Sequence, residues 1–142
     1  MTFSRRNFVA ALLFSGAGTV ALGADKTNSG GGTGTVSTDK PVFVIATIEV
    51  KPGKRDEFIK IFKGNVPNVI AEKGCMMYAP TIDFPSEIPV QIPLRDNVMT
   101  VVEQWASIEA LRTHLAAPHM NTYRAAVKDL VEKTSLQVLQ PA

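Results

Sequence analysis

The stretch Asn97–His119, which reads NVMTVVEQWASIEALRTHLAAPH, decides the fold because a buried strand runs directly into a helix. Its first part, Val98–Val102, is apolar and rich in β-branched residues, as suits a pleated, buried strand. Ser107 has the chemistry of a helix N-cap, and apolar residues recur after it at spacings of three and four. Pro118 breaks that pattern. The stretch therefore predicts a strand, a helix and a helix break in succession.

A carboxylate, an indole and an imidazole lie where this strand meets this helix. Glu103 and Trp105, the only tryptophan of the chain, end the strand, and His114 lies at the edge of the buried helical stripe. All three should adjoin one apolar layer, so this junction is the most informative local feature for function.

The same residues form an ordered run, E-x-W-x-S-x-x-A-L-x-x-H, that resembles the antibiotic biosynthesis monooxygenase family. The run comprises Glu103, Trp105, Ser107, Ala110, Leu111 and His114. The flanking signals that agree with it are Lys51–Lys54 (KPGK), Glu72–Cys75 (EKGC) and Pro118–His119. Two further runs resemble more narrowly the cofactor-independent quinol monooxygenases of that family; they are Tyr78–Pro80 (YAP) and Leu139–Pro141 (LQP). The resemblance covers residues 41–142, the whole of the predicted folded domain.

Residues 41–142 have the size of one domain. The strands are predicted at 42–50, 75–82, 97–105 and 135–140, and the helices at 55–73, 107–115 and 118–132. Pro67 lies inside the first helical pattern, so we expect a kink or a split there. The order βαββααβ predicts an α+β, ferredoxin-like fold.

Two of the predicted strands are apolar on both faces, which implies a second copy of the chain. Val42–Ala46 and Val98–Val102 show no apolar–polar alternation, although three helices can cover only one face of a small sheet. The other face should therefore pack on the same face of a homodimer partner. The resemblance implies the same assembly, a dimeric α+β barrel formed by sheet-on-sheet packing.

The segment 83–96, DFPSEIPVQIPLRD, combines features that rarely occur together. Its three prolines exclude a helix, but its apolar residues are too many for a plain solvated loop. We expect a partly buried flap over a pocket or over the partner subunit.

The first 40 residues indicate export. Ser4–Val9 (SRRNFV) matches the twin-arginine export pattern, and a short, interrupted apolar run follows it. We therefore predict a twin-arginine signal peptide over residues 1–23, a flexible Gly/Ser/Thr tether over residues 24–40, and a periplasmic location. An uncleaved membrane anchor is the alternative.

Charge argues against two classes of partner. The chain carries 15 Lys and Arg against 13 Asp and Glu, and Arg5 and Arg6 would leave with the leader. The remaining chain would then be neutral, with 13 residues of each sign. No basic face is left to bind nucleic acid or an anionic membrane, and we expect no stable membrane insertion after cleavage.

The sequence carries no recognisable metal or cofactor signature. Cys75 is single, and His114 and His119 lie five residues apart across a helix break, so they do not form a helical ligand pair. Neither a dinucleotide fingerprint nor a flavin phosphate loop is present. A redox reaction would then take its electrons from the substrate, and we expect no metal and no cofactor.

The resemblance supplies a reaction that fits these observations. It implies that a small aromatic hydroquinone is deprotonated in an apolar pocket and then reacts with dioxygen. His114 is the candidate base, since its reference pKa of about 6.5 allows a neutral form. Glu103 is the second catalytic candidate, because it could orient His114 or Trp105. The substrate-binding candidates, which offer ring faces or polar atoms, are Tyr78, Trp105, His119 and Tyr123.

Two other functions use the same fold. An isomerase of a small hydroxyketone would also need a histidine and a carboxylate, and a non-enzymatic dimeric ligand-binding or stress protein would need only the cavity. Haem-degrading proteins belong to the resembled superfamily as well. Ala46 stands where their first-strand asparagine would lie, which argues against haem oxygenation.

A chain that begins at Pro41 should fold, dimerise and keep any activity, because residues 24–40 lack the apolar side chains needed for packing. Circular dichroism and size-exclusion chromatography of the shortened and full chains would check this. A shortened chain that is unfolded or monomeric would place the domain boundary elsewhere.

Overall fold

The computed structural model describes residues 40–142, which fold into a four-stranded sheet and three helices. The strands are β1 (Val42–Val50), β2 (Cys75–Thr81), β3 (Val98–Trp105) and β4 (Val131–Leu139). The helices are α1 (Arg55–Ile70), α2 (Ile108–Ala116) and α3 (Pro118–Val127). The predicted leader and all of the predicted tether except Lys40 lie outside the described residues.

The predicted α+β, ferredoxin-like order βαββααβ is confirmed. The strands lie in the order β2-β3-β1-β4, all neighbours are antiparallel, and the sheet is open rather than closed into a barrel. Ser107 caps α2 as predicted, because its side chain accepts a hydrogen bond from the Ala110 N–H at 3.1 Å. Among the described residues, no helix is long and apolar enough to cross a membrane.

The boundary between α3 and β4 differs from the prediction. The helix ends at Val127 instead of 132, and the strand begins at Val131 instead of 135. Leu130 and Val131 fit the helical stripe, but pairing of β4 with β1 extends back to the Val50–Val131 pair. Ladder hydrogen bonds therefore override the helical pattern at these positions.

Helix α1 is continuous, so of the predicted kink or split at Pro67 the split is wrong and the kink stays a prediction. Residues 55–70 form one helix with Pro67 inside it, and the Ala71 N–H still donates to the Pro67 carbonyl at 3.2 Å. Proline removes one donor but leaves its own carbonyl free to accept. The buried face of α1, formed by Phe58, Phe62 and Val69, holds the helix on the sheet.

Burial alternates strictly along the central strand. In β1, every second residue from Val42 to Val50 is buried against the helices, and the residues between them are half-buried. All three helices thus lie on one face of the sheet. The other face presents Phe43 and Ile45 of β1 beside Val102 of β3, which agrees with the apolar second face expected from the sequence.

The segment between β2 and β3 leaves its large apolar side chains exposed on the single chain, and its predicted cover over a partner subunit stays a prediction. Asp83 and Arg95 clamp its two ends through hydrogen bonds of 2.6 and 2.8 Å. Between them Phe84, Ile88 and Val90 point away from the domain, and Val90 is 90% exposed. The segment therefore does not bury its apolar side chains within its own chain.

A close contact at Gly74 sets the distance between the β2 entrance and α2. Gly74 has a φ of +91°, and an added Cβ would lie 2.7 Å from the Ala110 Cβ. Its carbonyl accepts a hydrogen bond from the Ala106 N–H at 2.8 Å. Only glycine satisfies both the backbone angle and the contact.

Replacement of Gly74 by alanine should lower the free energy of unfolding by about 2–4 kcal/mol, because positive-φ strain and overpacking add. Gly53→Ala is the matched control: its φ is +75°, but an added Cβ meets nothing within 4 Å. That variant should lose only about 1–2 kcal/mol. Urea denaturation of both variants measures the difference, and equal losses would contradict the proposed contact.

Candidate active site

The strand–helix junction singled out by the sequence forms a buried polar cluster. Trp105 ends β3, and its Nε1–H donates to Glu103 Oε2 at 2.8 Å. The ring of His114, from α2, lies against the indole with 4.6 Å between centroids. His114 is only 1% exposed and Glu103 only 4%. The predicted proximity of the three side chains is therefore observed, and Glu103 orients Trp105 rather than His114.

The carboxylate that contacts His114 belongs to Glu72. This residue lies in the connection between α1 and β2, and its Oε1 is 2.9 Å from His114 Nδ1. The turn at Gly74 brings this connection against the start of α2. A carboxylate at Nδ1 fixes the orientation of the imidazole and places its proton on that nitrogen. The other nitrogen, Nε2, is then left as the basic atom.

An aromatic layer extends from His114 across the helix face of the sheet. The Tyr78 ring meets His114 edge-on, with centroids 5.6 Å apart. Phe62 stacks on Tyr78 at 5.7 Å with an interplanar angle of 4°, and Tyr123 meets Phe62 edge-on at 5.5 Å. The layer offers flat apolar faces of the kind that planar aromatic rings bind.

The other two predicted substrate-binding residues line an open groove between α1 and α3. The groove has a volume of about 290 Å³, and His119 and Tyr123 of α3 form its wall opposite Gly64 and Asn65 of α1. It does not reach Trp105, Glu103 or His114. The six predicted residues thus divide into a group of four around His114, which are Tyr78, Glu103, Trp105 and His114 itself, and a groove pair, His119 and Tyr123.

Glu72 connects the groove to the buried cluster. His119 Nδ1 lies 3.1 Å from Asn65 Oδ1. His119 Nε2 lies 2.7 Å from Glu72 Oε1, within ion-pair distance, yet the two atoms are not aligned for a hydrogen bond. The same carboxylate oxygen therefore faces both imidazoles.

Burial dominates the ionisation of the cluster. It raises the pKa of Glu103 to about 7, although the hydrogen bond from Trp105 acts in the opposite direction. Burial also lowers the pKa of His114, partly offset by Glu72. Burial, reinforced by the Glu103 charge, raises the pKa of Tyr78. His114 is thus a neutral acceptor and Tyr78 a neutral hydroxyl donor at working pH.

Within residues 40–142, no group of three histidine, cysteine or carboxylate side chains is arranged to hold a metal ion. Cys75 is a half-buried free thiol at the start of β2, and burial raises its pKa. A thiol with a raised pKa is a poor nucleophile and a poor metal ligand.

Sequence reasoning missed two participants. Glu72 stands within the EKGC run, but its contact partner His114 lies 42 positions away, beyond the reach of any local pattern. Asn65 lies inside α1 and gives no local signal of its contact with His119. The only clue in the sequence is that Glu72 lies two residues before Gly74, which leads into a strand.

Comparison with known proteins agrees with the fold and the motif. The family model described as antibiotic biosynthesis monooxygenase matches residues 41–126. The probable quinol monooxygenase YgiN of Escherichia coli K12 is 39% identical over 104 residues, which cover 69% of this chain and 95% of YgiN.

Two solved structures share the architecture. Rv0793 from Mycobacterium tuberculosis is 26% identical with a TM-score of 0.60, covering 72% of this chain and 96% of its own. PA3566 from Pseudomonas aeruginosa is 22% identical with a TM-score of 0.62, covering 74% of this chain and 97% of its own, and shows likeness of fold alone. Because the family model spans more than half of the chain and YgiN matches over nearly its whole length, this protein belongs to the antibiotic biosynthesis monooxygenase family and is an enzyme of the oxidoreductase class.

Proposed function

We propose that this enzyme is a cofactor-independent quinol monooxygenase that acts on a small aromatic hydroquinone. The observation that supports this most is the environment of His114: a buried imidazole between aromatic rings, with a carboxylate at Nδ1. A base of this kind can remove a phenolic proton in a site that excludes water. The similarity to YgiN, whose name includes quinol monooxygenase, points to the same substrate class.

His114 Nε2 takes the proton from one quinol hydroxyl. The electron-rich quinolate then gives one electron to dioxygen, and the resulting semiquinone and superoxide combine at a ring carbon that carries hydrogen. The hydroperoxide loses water and leaves a hydroxyquinone. One quinol and one dioxygen thus yield one hydroxyquinone and one water, with no external reductant.

Tyr78 has the best position to admit and orient the ring. It lies on the edge strand β2, is half-buried, and closes His114 off from that side. If its side chain swings aside, a planar ring can take its place between Phe62 and His114. Its neutral hydroxyl can donate to the second quinol oxygen. His119 and Tyr123 would contact the ring from the groove side.

We also propose a homodimer in which the helix-free faces of two sheets pack together. Phe43, Ile45 and Val102 form the apolar centre of that face, and Leu139 on β4 is 46% exposed beside it. Burial of this surface by a second copy would stabilise both chains. The periplasmic location remains a proposal supported by the twin-arginine pattern of residues 4–9.

The purified enzyme, without added flavin or metal, should consume reduced naphthoquinols together with dioxygen faster than they autoxidise. His114→Gln keeps the size of the side chain but removes the base, and should lower the rate by roughly 10²- to 10⁴-fold. An oxygen electrode measures the rates of the wild type and of His114→Gln, with the rate of autoxidation subtracted at each pH. Since the pKa of His114 is lowered, the wild-type rate should hold to a more acidic pH than an ordinary histidine would permit.

His119→Gln distinguishes the two histidines. If His119→Gln lost all activity and His114→Gln kept it, the base would be His119 in the groove. A wild-type rate equal to the blank would favour an isomerase or a binding protein. Mass spectrometry of the product formed under ¹⁸O₂ distinguishes two reactions. A hydroxyquinone carries one ¹⁸O atom, whereas oxidation to quinone with release of peroxide leaves the product unlabelled.

Glu103 should make the domain less stable as pH rises. Its pKa is about 7 in the folded protein against an ordinary value of 4.5, so the folded chain keeps a proton that the unfolded chain has lost. The stability from this group is complete below the unfolded pKa and is lost as pH rises through about 7.

Glu103→Gln removes this titration, and the change in unfolding free energy between pH 5 and pH 8 should shrink by on the order of 2 kcal/mol. Urea titrations at both pH values test it. Glu109→Gln, at a surface position of α2, should keep the wild-type slope. An unchanged slope in Glu103→Gln would show that Glu103 is already ionised in the folded protein.

A further inference from the structure

Glu72 holds a position that its contact with His114 alone does not explain. Its side chain is 15% exposed, and one oxygen, Oε1, lies 2.9 Å from His114 Nδ1 and 2.7 Å from His119 Nε2. A residue that only oriented His114 would not need a second imidazole on the same oxygen. The arrangement joins a buried histidine to one that is 25% exposed in the groove.

The positions of the protons follow from the hydrogen-bond partners. A carboxylate only accepts, so His114 Nδ1 carries a proton and donates it to Glu72. The oxygen of the Asn65 amide faces His119, because the nitrogen donates to Met120 Sδ at 3.3 Å. His119 Nδ1 therefore also carries a proton and donates it to Asn65 Oδ1 at 3.1 Å.

The contact between His119 Nε2 and Glu72 Oε1 is then left without a proton. In the tautomer that donates to Asn65, His119 has a lone pair on Nε2, and this buried atom has no hydrogen-bond partner among residues 40–142 although Glu72 Oε1 is 2.7 Å away. Two facing acceptors repel each other, and a proton on Glu72 Oε1 would turn this contact into a hydrogen bond once a rotation of the His119 ring aligns the two atoms. The site is thus ready to accept a proton that arrives through Glu72.

Charges around His114 favour departure of such a proton. His119 and Arg124 of α3 oppose a positive charge on it, and burial acts in the same direction. Glu72 favours a positive charge on His114. Glu103 is separated from His114 by the Trp105 side chain, to which it is hydrogen-bonded. Tyr78 is neutral. His119 borders the groove, where water can take the proton up.

We infer that Glu72 and His119 form a proton path between the buried base His114 and solvent in the α1–α3 groove. This inference rests on the proposed function. As the quinol proton reaches His114 Nε2, the Nδ1 proton moves to Glu72 Oε1 and on to His119 Nε2, which leaves Glu72 a carboxylate again. When the hydroperoxide loses water, the proton on His114 Nε2 completes that water, and His119, which exchanges protons with water in the groove, returns one proton to Nδ1. The cycle restores every group and releases no net proton.

His119→Ala gives the sharper test, because it removes the outer member of the path and enlarges the groove by an imidazole-sized space. It should lower kcat by roughly 10- to 100-fold with little change in KM, and added imidazole should restore the rate in a concentration-dependent way. Pyrazole, a ring of similar shape that is too weak a base to become a cation near neutral pH, should restore nothing. Rescue by both rings, by neither, or no loss at all would overturn the path.

Glu72→Gln tests the centre of the path by a readout that needs no turnover. Loss of the carboxylate should lower the pKa of His114 still further, which ¹⁵N NMR titration of the imidazoles detects, and kcat should fall with a changed pH profile. Glu109→Gln is the charge-matched control and should leave both unchanged. An unmoved His114 titration would overturn the coupling. If wild-type enzyme consumed no quinol, the proposed reaction would fail, while this titration would still decide whether Glu72 couples to His114.

Discussion

The close approach of Gly74 to α2 is the constraint on which the rest of the structure depends. It lets the connection after α1 lie against the first turn of α2, with 2.7 Å between an added Cβ at Gly74 and the Ala110 Cβ. This close packing places the Glu72 carboxylate against His114 of α2 and against His119 of α3. A wider gap would leave the carboxylate of Glu72 and the buried imidazole of His114 without this contact, which is costly in the interior.

Most of the fold could be predicted from the sequence because hydrophobic periodicity is local. The first three strands and the start of each helix follow from patterns within a few residues, and Ser107 marks its cap by chemistry alone. The α3–β4 boundary could not be predicted. Leu130 and Val131 satisfy a helical stripe and a strand equally well, and only pairing with β1, some 80 positions earlier, decides between them.

The candidate site divides in the same way. Glu103, Trp105 and His114 belong to one continuous stretch, so their proximity could be predicted. Glu72 meets His114 across 42 positions, and Asn65 meets His119 across 54, because separate helices pack there. No spacing rule reports such contacts. The sequence therefore suggested the base but not the acid that orients it.

Trp105 gives the molecule an internal optical reporter. It is the only tryptophan in the chain, it is fully buried, and its indole lies 4.6 Å from His114. An excited indole loses its energy readily to a charged imidazole and poorly to a neutral one. The fluorescence intensity of the unlabelled protein should therefore follow the charge on His114. An aromatic ring bound beside the indole would shift the wavelength of the emission, with no added dye.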